Sequence, residues 1–299
     1  MNSLEGEQTI RKHGGRNRLI SYAFLREEKK PYAKVFNQLL ENKVYDTIMI
    51  DSGAFSASRG GKPIDNNKYI EFAKSYNDEK DLFFVGLDKT INLSKCDYAG
   101  ADVFEANAKE TLTNCREMLR AGVMNIPSLH MGEPLDYLKY MVDEFPYVAL
   151  SITSSRAYSL FDRTTHLDNC WNIIPKGTKV HAFGVTDVKI PLMYPWTSVD
   201  SATWAKEALY GKIKTIHNGA HDTIAVSERS KETRHYELLG GEEKQEIDKY
   251  LAELGSSYEK VKAATPAGLD ERCRVNIQYF IRSLERERIT INRKQEVLF

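Results

Sequence analysis

The stretch MNIPSLHMGEPLDYLKYMVDEFPYVALSI, residues 124–152, decides the fold class. MNIPSLHM (124–131) is strand-like and ends near His130. EPLDYLKYMVDEF (133–145) places Pro134 at a first-turn position and repeats apolar residues at helical spacing. YVALSI (147–152) is a second apolar strand. Strands that are apolar on both faces, joined through a helix, mark a parallel sheet covered by helices. The same alternation extends outward in both directions. Strand-like runs fall at LISYAF (19–24), TIMI (47–50), LFFVGLD (82–88), KVHAFGV (179–185) and TSVDS (197–201). Helical patterns fall at PYAKVFNQLLEN (31–42), NNKYIEFAKSY (66–76), AKETLTNCREMLRAG (108–122), THLDNCWNII (165–174) and ATWAKEAL (202–209).

The polar residues of this region gather where strands end. Asp51, Asp88, His130, Ser151, Gly184 and Asp200 each end or directly follow a strand-like run. In a (β/α)8 barrel those ends converge on one face and build the active site, whereas an open sheet spreads them along an edge. No G-x-G-x-x-G follows a strand, which weakens the dinucleotide-binding open sheet. The sequence therefore predicts an α/β fold, a TIM-type (β/α)8 barrel with a C-terminal β-hairpin and a helical extension. GKIKTIHNGAHDTIAVS (211–227) reads as the hairpin, turned at Asn218-Gly219. HYELLGGEEKQEIDKYLAELG (235–255) and DERCRVNIQYFIRSLERE (270–287) read as amphipathic helices. The expected division is 1–227 for barrel and hairpin, and 228–299 for the extension.

Composition agrees with a globular enzyme. The chain has 299 residues, 42 Lys+Arg against 42 Asp+Glu, and 41% hydrophobic residues. No apolar run approaches the roughly 18 residues of a membrane span, and the N-terminus MNSLEGEQTIRKHGG has no apolar leader core. Cys96, Cys115, Cys170 and Cys273 are too scattered for a disulfide framework, so a reducing cytoplasm is expected. Zero net charge excludes a histone-like binder but leaves room for a local basic patch.

Asp51, in Asp51-Ser52-Gly53-Ala54-Phe55, and Asp200, in Val199-Asp200-Ser201-Ala202-Thr203, are each followed by small residues that leave space for a ligand. The plainer reading of one such Asp is an N-cap on the next helix. Several acids at the strand ends of one face point instead to acid/base or nucleophilic chemistry.

The ordered set D-S-G-A-F (51–55), G-L-D (86–88), V-H-A-F-G-V (180–185) and V-D-S-A-T (199–203) resembles the tRNA-guanine transglycosylase superfamily. The resemblance covers about residues 17–227. It implies a (β/α)8 barrel and base exchange at a guanine nucleotide. Asp200 aligns with the nucleophile that attacks the ribose anomeric carbon, and Asp51 with the general acid/base. Asp88 matches the carboxylate that accepts hydrogen bonds from the guanine edge, a task suited to an acceptor-only group. Phe55 and Phe183 fall where aromatic rings enclose the base, with core packing as their plainer reading. Ser52, Gly184 and Ser151 fall in the base-binding segments. His130 stands where the family usually has a Gln that contacts the base.

Other departures bear on substrate. The C-x-C-x-x-C zinc motif of the tRNA enzymes is missing, and His217 and His221 alone do not close a tetrahedral site, so no metal or other cofactor is expected. An appended RNA-binding module is likewise not expected. The combination resembles the phage and bacterial branch that inserts 7-deazaguanine bases into DNA. DNA and a free 7-deazaguanine base are the expected partners, with tRNA the alternative. A nucleotide in duplex must flip out before its anomeric carbon can be reached. Arg156, Arg163, Lys212 and Lys214 are the candidate phosphate contacts. Arg274, Arg282, Arg286 and Arg288 recur along the last helix, where a solvated surface with Glu partners is the plainer reading. The rival classes are a tRNA enzyme with an atypical RNA-binding tail, a nucleoside hydrolase, and a non-catalytic nucleic-acid-binding barrel.

Overall fold

Successive strands pair in parallel, as the apolar strand runs require. The structure is a computed structural model that describes residues 4–27, 31–58, 60–89, 100–152, 159–185, 188–217 and 219–296, with side chains to residue 285. The fold is mixed α/β and built on parallel sheets. The chain divides into two compact units.

The first unit comprises Met1–Arg11, Arg16–Val185 and Tyr194–Asp200. Its strands are β1 (Asn17–Ser21), β2 (Thr47–Asp51), β3 (Leu82–Val85), β4 (Asn125–Ile126), β5 (Ser128–His130), β6 (Tyr147–Ser151), β7 (Lys179–Phe183) and β8 (Ser198–Val199). They form two four-stranded sheets, β1-β2-β3-β4 and β5-β6-β7-β8, with every neighbour parallel. The run 124–131, expected as one strand, is two short ones interrupted at Pro127. Proline has no N–H to donate, but its carbonyl still accepts from Ala149 N–H at 2.8 Å. The 125–130 stretch thus bonds to β3 on one side and β6 on the other.

α1 (Leu4–Lys12) precedes the first strand, and α2 (Pro31–Glu41), α3 (Ala54–Ser58), α4 (Asn66–Lys74), α5 (Ala101–Arg120), α6 (Leu135–Glu144) and α7 (Leu160–Trp171) lie between strands. β6 is buried along its whole length, which is why YVALS carries no alternation. A small core cluster joins Met49, Val85, Ile126, Tyr147 and Ala149, with Leu19, Phe83 and Phe183 packed against it. That one cluster draws residues from β1, β2, β3, β4, β6 and β7.

The second unit comprises Lys12–Gly15, Thr186–Met193 and Ser201–Phe299. It holds α8 (Ile190–Met193), α9 (Thr203–Leu209), the hairpin β9 (Lys212–His217) with β10 (Ala220–Ala225), α10 (Gly241–Glu253), α11 (Tyr258–Lys262) and α12 (Pro266–Glu296). Its core packs Ile213, Ile224 and Val226 against Ile247, Leu251, Val261 and Val275. Two buried polar residues of α12 bind the unit together. Arg272 donates to the carbonyls of Ala208, Val261 and Ala263, and Asn276 donates to those of Trp204 and Lys212 while accepting from Lys214 N–H.

Several boundaries differ from expectation. β1 stops at Ser21, and Tyr22–Phe24 turn as a short 3-10 segment. Residues 235–240 are not part of α10. His235 Nδ1 accepts from Glu237 N–H, Tyr236–Leu238 form a 3-10 turn, and the helix starts only at Gly241. The Gly240-Gly241 pair makes continuation of a helix through this point costly. The short helices α3, α8 and α11 have too few residues for a periodic signal. α1 was also not anticipated.

Candidate active site

The site is built from strand ends of the first unit. Asp51 is the last residue of β2 and pairs in register with Ser21 of β1. His130, Ser151 and Phe183, the last residues of β5, β6 and β7, lie abreast in register. Asp88 follows β3 by three residues (88 − 85), and Asp200 directly follows β8. Beneath them Tyr69, wholly buried on α4, directs its hydroxyl to the carbonyls of Val85 (2.8 Å) and Ile50 (3.2 Å). This ties together the ends of the two strands that present Asp51 and Asp88.

Asp88 is held ionised by its neighbours. Ser52 Oγ donates to Oδ1 at 2.8 Å, and His130 Nε2 stands 2.9 Å from Oδ2. Burial works to raise the Asp88 carboxyl, but the His130 hydrogen bond and charge, with Ser52, outweigh it and hold it below its ordinary value. Burial likewise works to lower His130, but the hydrogen bond and charge of Asp88 outweigh it, so the imidazole is held above its ordinary value. Behind the pair, Glu133 Oε2 accepts the backbone N–H of His130 at 2.8 Å. Burial pushes the Glu133 carboxyl up to about 7.

Asp51 is in the opposite condition. Burial first, then the charge of Asp88, pushes its carboxyl up to about 7, and the charge of Asp200 adds to the rise. Gly53 N–H donates to Asp51 Oδ2 at 3.2 Å. This contact needs the left-handed backbone of Gly53 (φ 85), where a Cβ would stand 3.0 Å from Ala23.

Asp200 Oδ1 accepts the N–H of Gly184 at 2.9 Å. Gly184 has φ 69, a conformation that turns the chain after β7 toward the next strand. His181 Nε2 lies 3.5 Å from Asp200 Oδ1. The ring is 2% exposed and Nε2 has no hydrogen-bond partner among the described residues. Its Nδ1 is 2.6 Å from Ser198 Oγ, which is 2.6 Å from the hydroxyl of Tyr147.

The remaining expected residues separate into groups. Phe55 on α3 is 47% exposed, as a ring offered to a ligand would be. Phe183 is partly buried, packs on the small core cluster and meets the His181 ring edge-on at 4.4 Å. Ser52 is wholly buried, with its hydroxyl engaged by Asp88 and by Ala54 N–H, so its contact is with Asp88. Arg163 lies on the first turn of α7. Arg156 lies outside the described residues, as does Asn218. In the second unit, Lys212 is ion-paired to Glu232 at 2.8 Å, and Lys214 bonds Thr223 and lies over the Tyr279 ring. Arg274 pairs with Glu271 and donates to the Leu254 carbonyl, so it braces the helix.

Sequence reasoning passed over His181, Glu133, Tyr69 and Ser198. His181 had a readable signal: it is two residues from Phe183, so it shares that residue's face of the strand.

His217, Asp222 and Glu243 each bring one ligand atom within 4.8 Å of the others. The guanidinium of Arg234 bonds both carboxylates of this group, so their charge is already met by a cation. One imidazole and two carboxylates already bonded by a guanidinium are a poor donor set for zinc. Cys115, Cys170 and Cys273 are free and buried, while Cys96 lies outside the described residues. Among the described residues no helix is long and apolar enough to cross a membrane.

No family model matches the chain, and no curated protein matches it.

Proposed function

We propose that the chain is a guanine transglycosylase. It exchanges guanine in a polynucleotide, DNA in our reading, for a 7-deazaguanine base through a glycosyl ester on Asp200. The observation that carries this reading is the three-acid constellation at the strand ends. Asp88 is held ionised by His130 and Ser52, Asp51 is raised to about 7, and Asp200 is held by Gly184 N–H through one oxygen only. Acids pushed apart in this way supply a fixed acceptor, a proton carrier and a nucleophile.

A closed (β/α)8 barrel is the architecture we infer for it. Along the strand order, β2 and β8 are separated by β3, the 125–130 stretch, β6 and β7. In a flat sheet that separation is about 24 Å. The charge of Asp200 nevertheless reaches Asp51, and Leu19 and Phe183 pack on one cluster. Both facts support a sheet that curves round on itself.

In the first half-reaction a free oxygen of Asp200 attacks C1′. The C1′–N9 bond breaks, and the proton on the Asp51 carboxyl goes to the departing guanine. In the second half, the N9–H proton of the incoming base passes to the Asp51 carboxylate. N9 attacks C1′, and the C1′–O bond to Asp200 breaks, so configuration is retained and both acids are restored. Asp88 accepts from the N1–H and exocyclic amine of the base, and the exposed ring of Phe55 stacks on it, by analogy with base stacking a contribution of about 1–3 kcal/mol.

The test is incubation of labelled 7-deazaguanine with DNA and with tRNA separately. Label is expected in DNA, with none after Asp200→Ala. Label in tRNA alone would overturn the choice of DNA. Guanine release without an incoming base would identify a hydrolase. Full exchange by Asp200→Ala would sink the mechanism.

A further inference from the structure

Asp200 has a neighbour that the mechanism above does not use. The His181 ring is wholly enclosed, and its Nε2, 3.5 Å from Asp200 Oδ1, has no hydrogen-bond partner among the described residues. A buried polar atom left without a partner costs about 1–3 kcal/mol, so its placement calls for a reason. Its other nitrogen is fixed by Ser198 Oγ at 2.6 Å, and Ser198 Oγ is in turn 2.6 Å from the Tyr147 hydroxyl.

The hydrogen directions follow from the carboxylate. A bare Nε2 lone pair facing Asp200 would be repelled, so Nε2 carries the hydrogen. With the hydrogen on Nε2, Nδ1 is the nitrogen that accepts from Ser198 O–H. Ser198 has one hydrogen to give, so the Tyr147 hydroxyl donates to Ser198. Every hydrogen of the series Tyr147–Ser198–His181 points toward Asp200, and each bond polarises the next.

We propose that His181 is a positioning residue for Asp200, its Nε2–H directed at Oδ1 through the series from Tyr147 and Ser198. This rests on the reading of Asp200 as nucleophile. With Gly184 N–H bonded to Oδ1 and His181 Nε2 facing the same oxygen at 3.5 Å, the second oxygen is left to attack C1′. When the C1′–O ester bond breaks in the second half-reaction, negative charge returns to the carboxylate, and His181 Nε2–H meets it. The donor therefore acts on turnover and leaves polynucleotide binding unchanged.

The experiment pairs kinetics with spectroscopy on the full chain. His181→Phe is expected to lower kcat for base exchange about 100-fold, with KM for the polynucleotide within about twofold. His181→Gln, whose amide N–H takes the place of Nε2–H, is expected to recover kcat to within about tenfold of wild type. Should His181→Phe fail to fold, His181→Gln and ¹⁵N NMR of the wild-type imidazole still decide. The wild-type ring is expected as the Nε2–H tautomer near neutral pH. An Nδ1–H tautomer, or a kcat for His181→Phe within about threefold of wild type, would overturn the role of His181. Absence of any base exchange by the wild-type protein would instead overturn the transglycosylase reading itself.

Discussion

Asp51 and Asp88 leave neighbouring parallel strands, yet their environments move them in opposite directions. Asp88 meets an imidazole and a hydroxyl, whereas Asp51 meets a backbone N–H and the charges of two other acids. Unfolded Asp51 releases its proton near its ordinary value of 3.8, but the folded protein holds it to about 7. Between those values the folded state binds more protons, so stability from this group falls as pH rises from 3.8 toward 7 and is level above. Asp51→Asn is therefore expected to leave Tm unchanged at pH 4 and to raise it by about 2–8 °C at pH 8, read by calorimetry. Asp88 runs in the reverse direction, its contribution being lost as pH falls through its lowered folded value, whereas the His130 contribution is lost as pH rises through its raised one. The same Asp51 proton sets a kinetic limit. Single-turnover guanine release is expected to slow about tenfold per pH unit above 7, and a flat profile to pH 9 would exclude Asp51 as the acid. The acids themselves were legible, because several carboxylates closing apolar runs such as TIMID, all at strand ends, exceed what helix N-caps require. Their opposed titration was not, since it depends on His130 and Ser52, which lie 42 and 36 residues from Asp88.

At the scale of elements, the strand ends are held by contacts made beneath the site. Tyr69 bridges the last carbonyl turns of β2 and β3 from inside α4. Tyr69→Phe removes the hydroxyl and leaves both carbonyls buried. It is expected to cost about 1–3 kcal/mol in urea unfolding and to weaken base exchange through displacement of Asp51 and Asp88. Element types were readable where an unbroken apolar run or a long helical periodicity marked them, as in β6 and α5 respectively. Starts and stops were readable only where local chemistry was noticed. The sequence Ser159-Leu160-Phe161-Asp162 is a capping box, with Ser159 and Asp162 bonded reciprocally, and it sets the start of α7 five residues before the expected Thr165. The break at Pro127 was equally visible in the sequence, because proline cannot donate to a neighbouring strand. At His181 the strand face was readable but the role was not, because an apolar strand surrounds it and its partners Ser198 and Asp200 arrive from another strand.

For the whole molecule, the balance of 42 basic and 42 acidic residues sets the terms of the polynucleotide binding proposed above. Affinity has to come from a few local cations, since no excess charge is available to supply it. The described cations divide by their partners. Lys212 already faces Glu232, Arg274 faces Glu271, and Arg234 is held between Asp222 and Glu243, so these are spoken for within the second unit. Among the described residues Arg163 has only the weak 3.4 Å contact of its Nε with the Ser159 carbonyl, and it stands on the first turn of α7, the helix that follows β6 and its terminal Ser151. Each phosphate neutralised by a cation adds roughly −0.9 to the slope of log K against log salt for duplex DNA. Arg163→Ala is therefore expected to weaken binding to guanine-containing DNA and make that slope shallower by about one. Lys212→Ala, whose charge is met by Glu232, is expected to leave the slope unchanged. Equal slopes for wild type and Arg163→Ala, measured by fluorescence anisotropy between low and physiological salt, would remove Arg163 from the phosphate-binding surface and assign the grip to other cations.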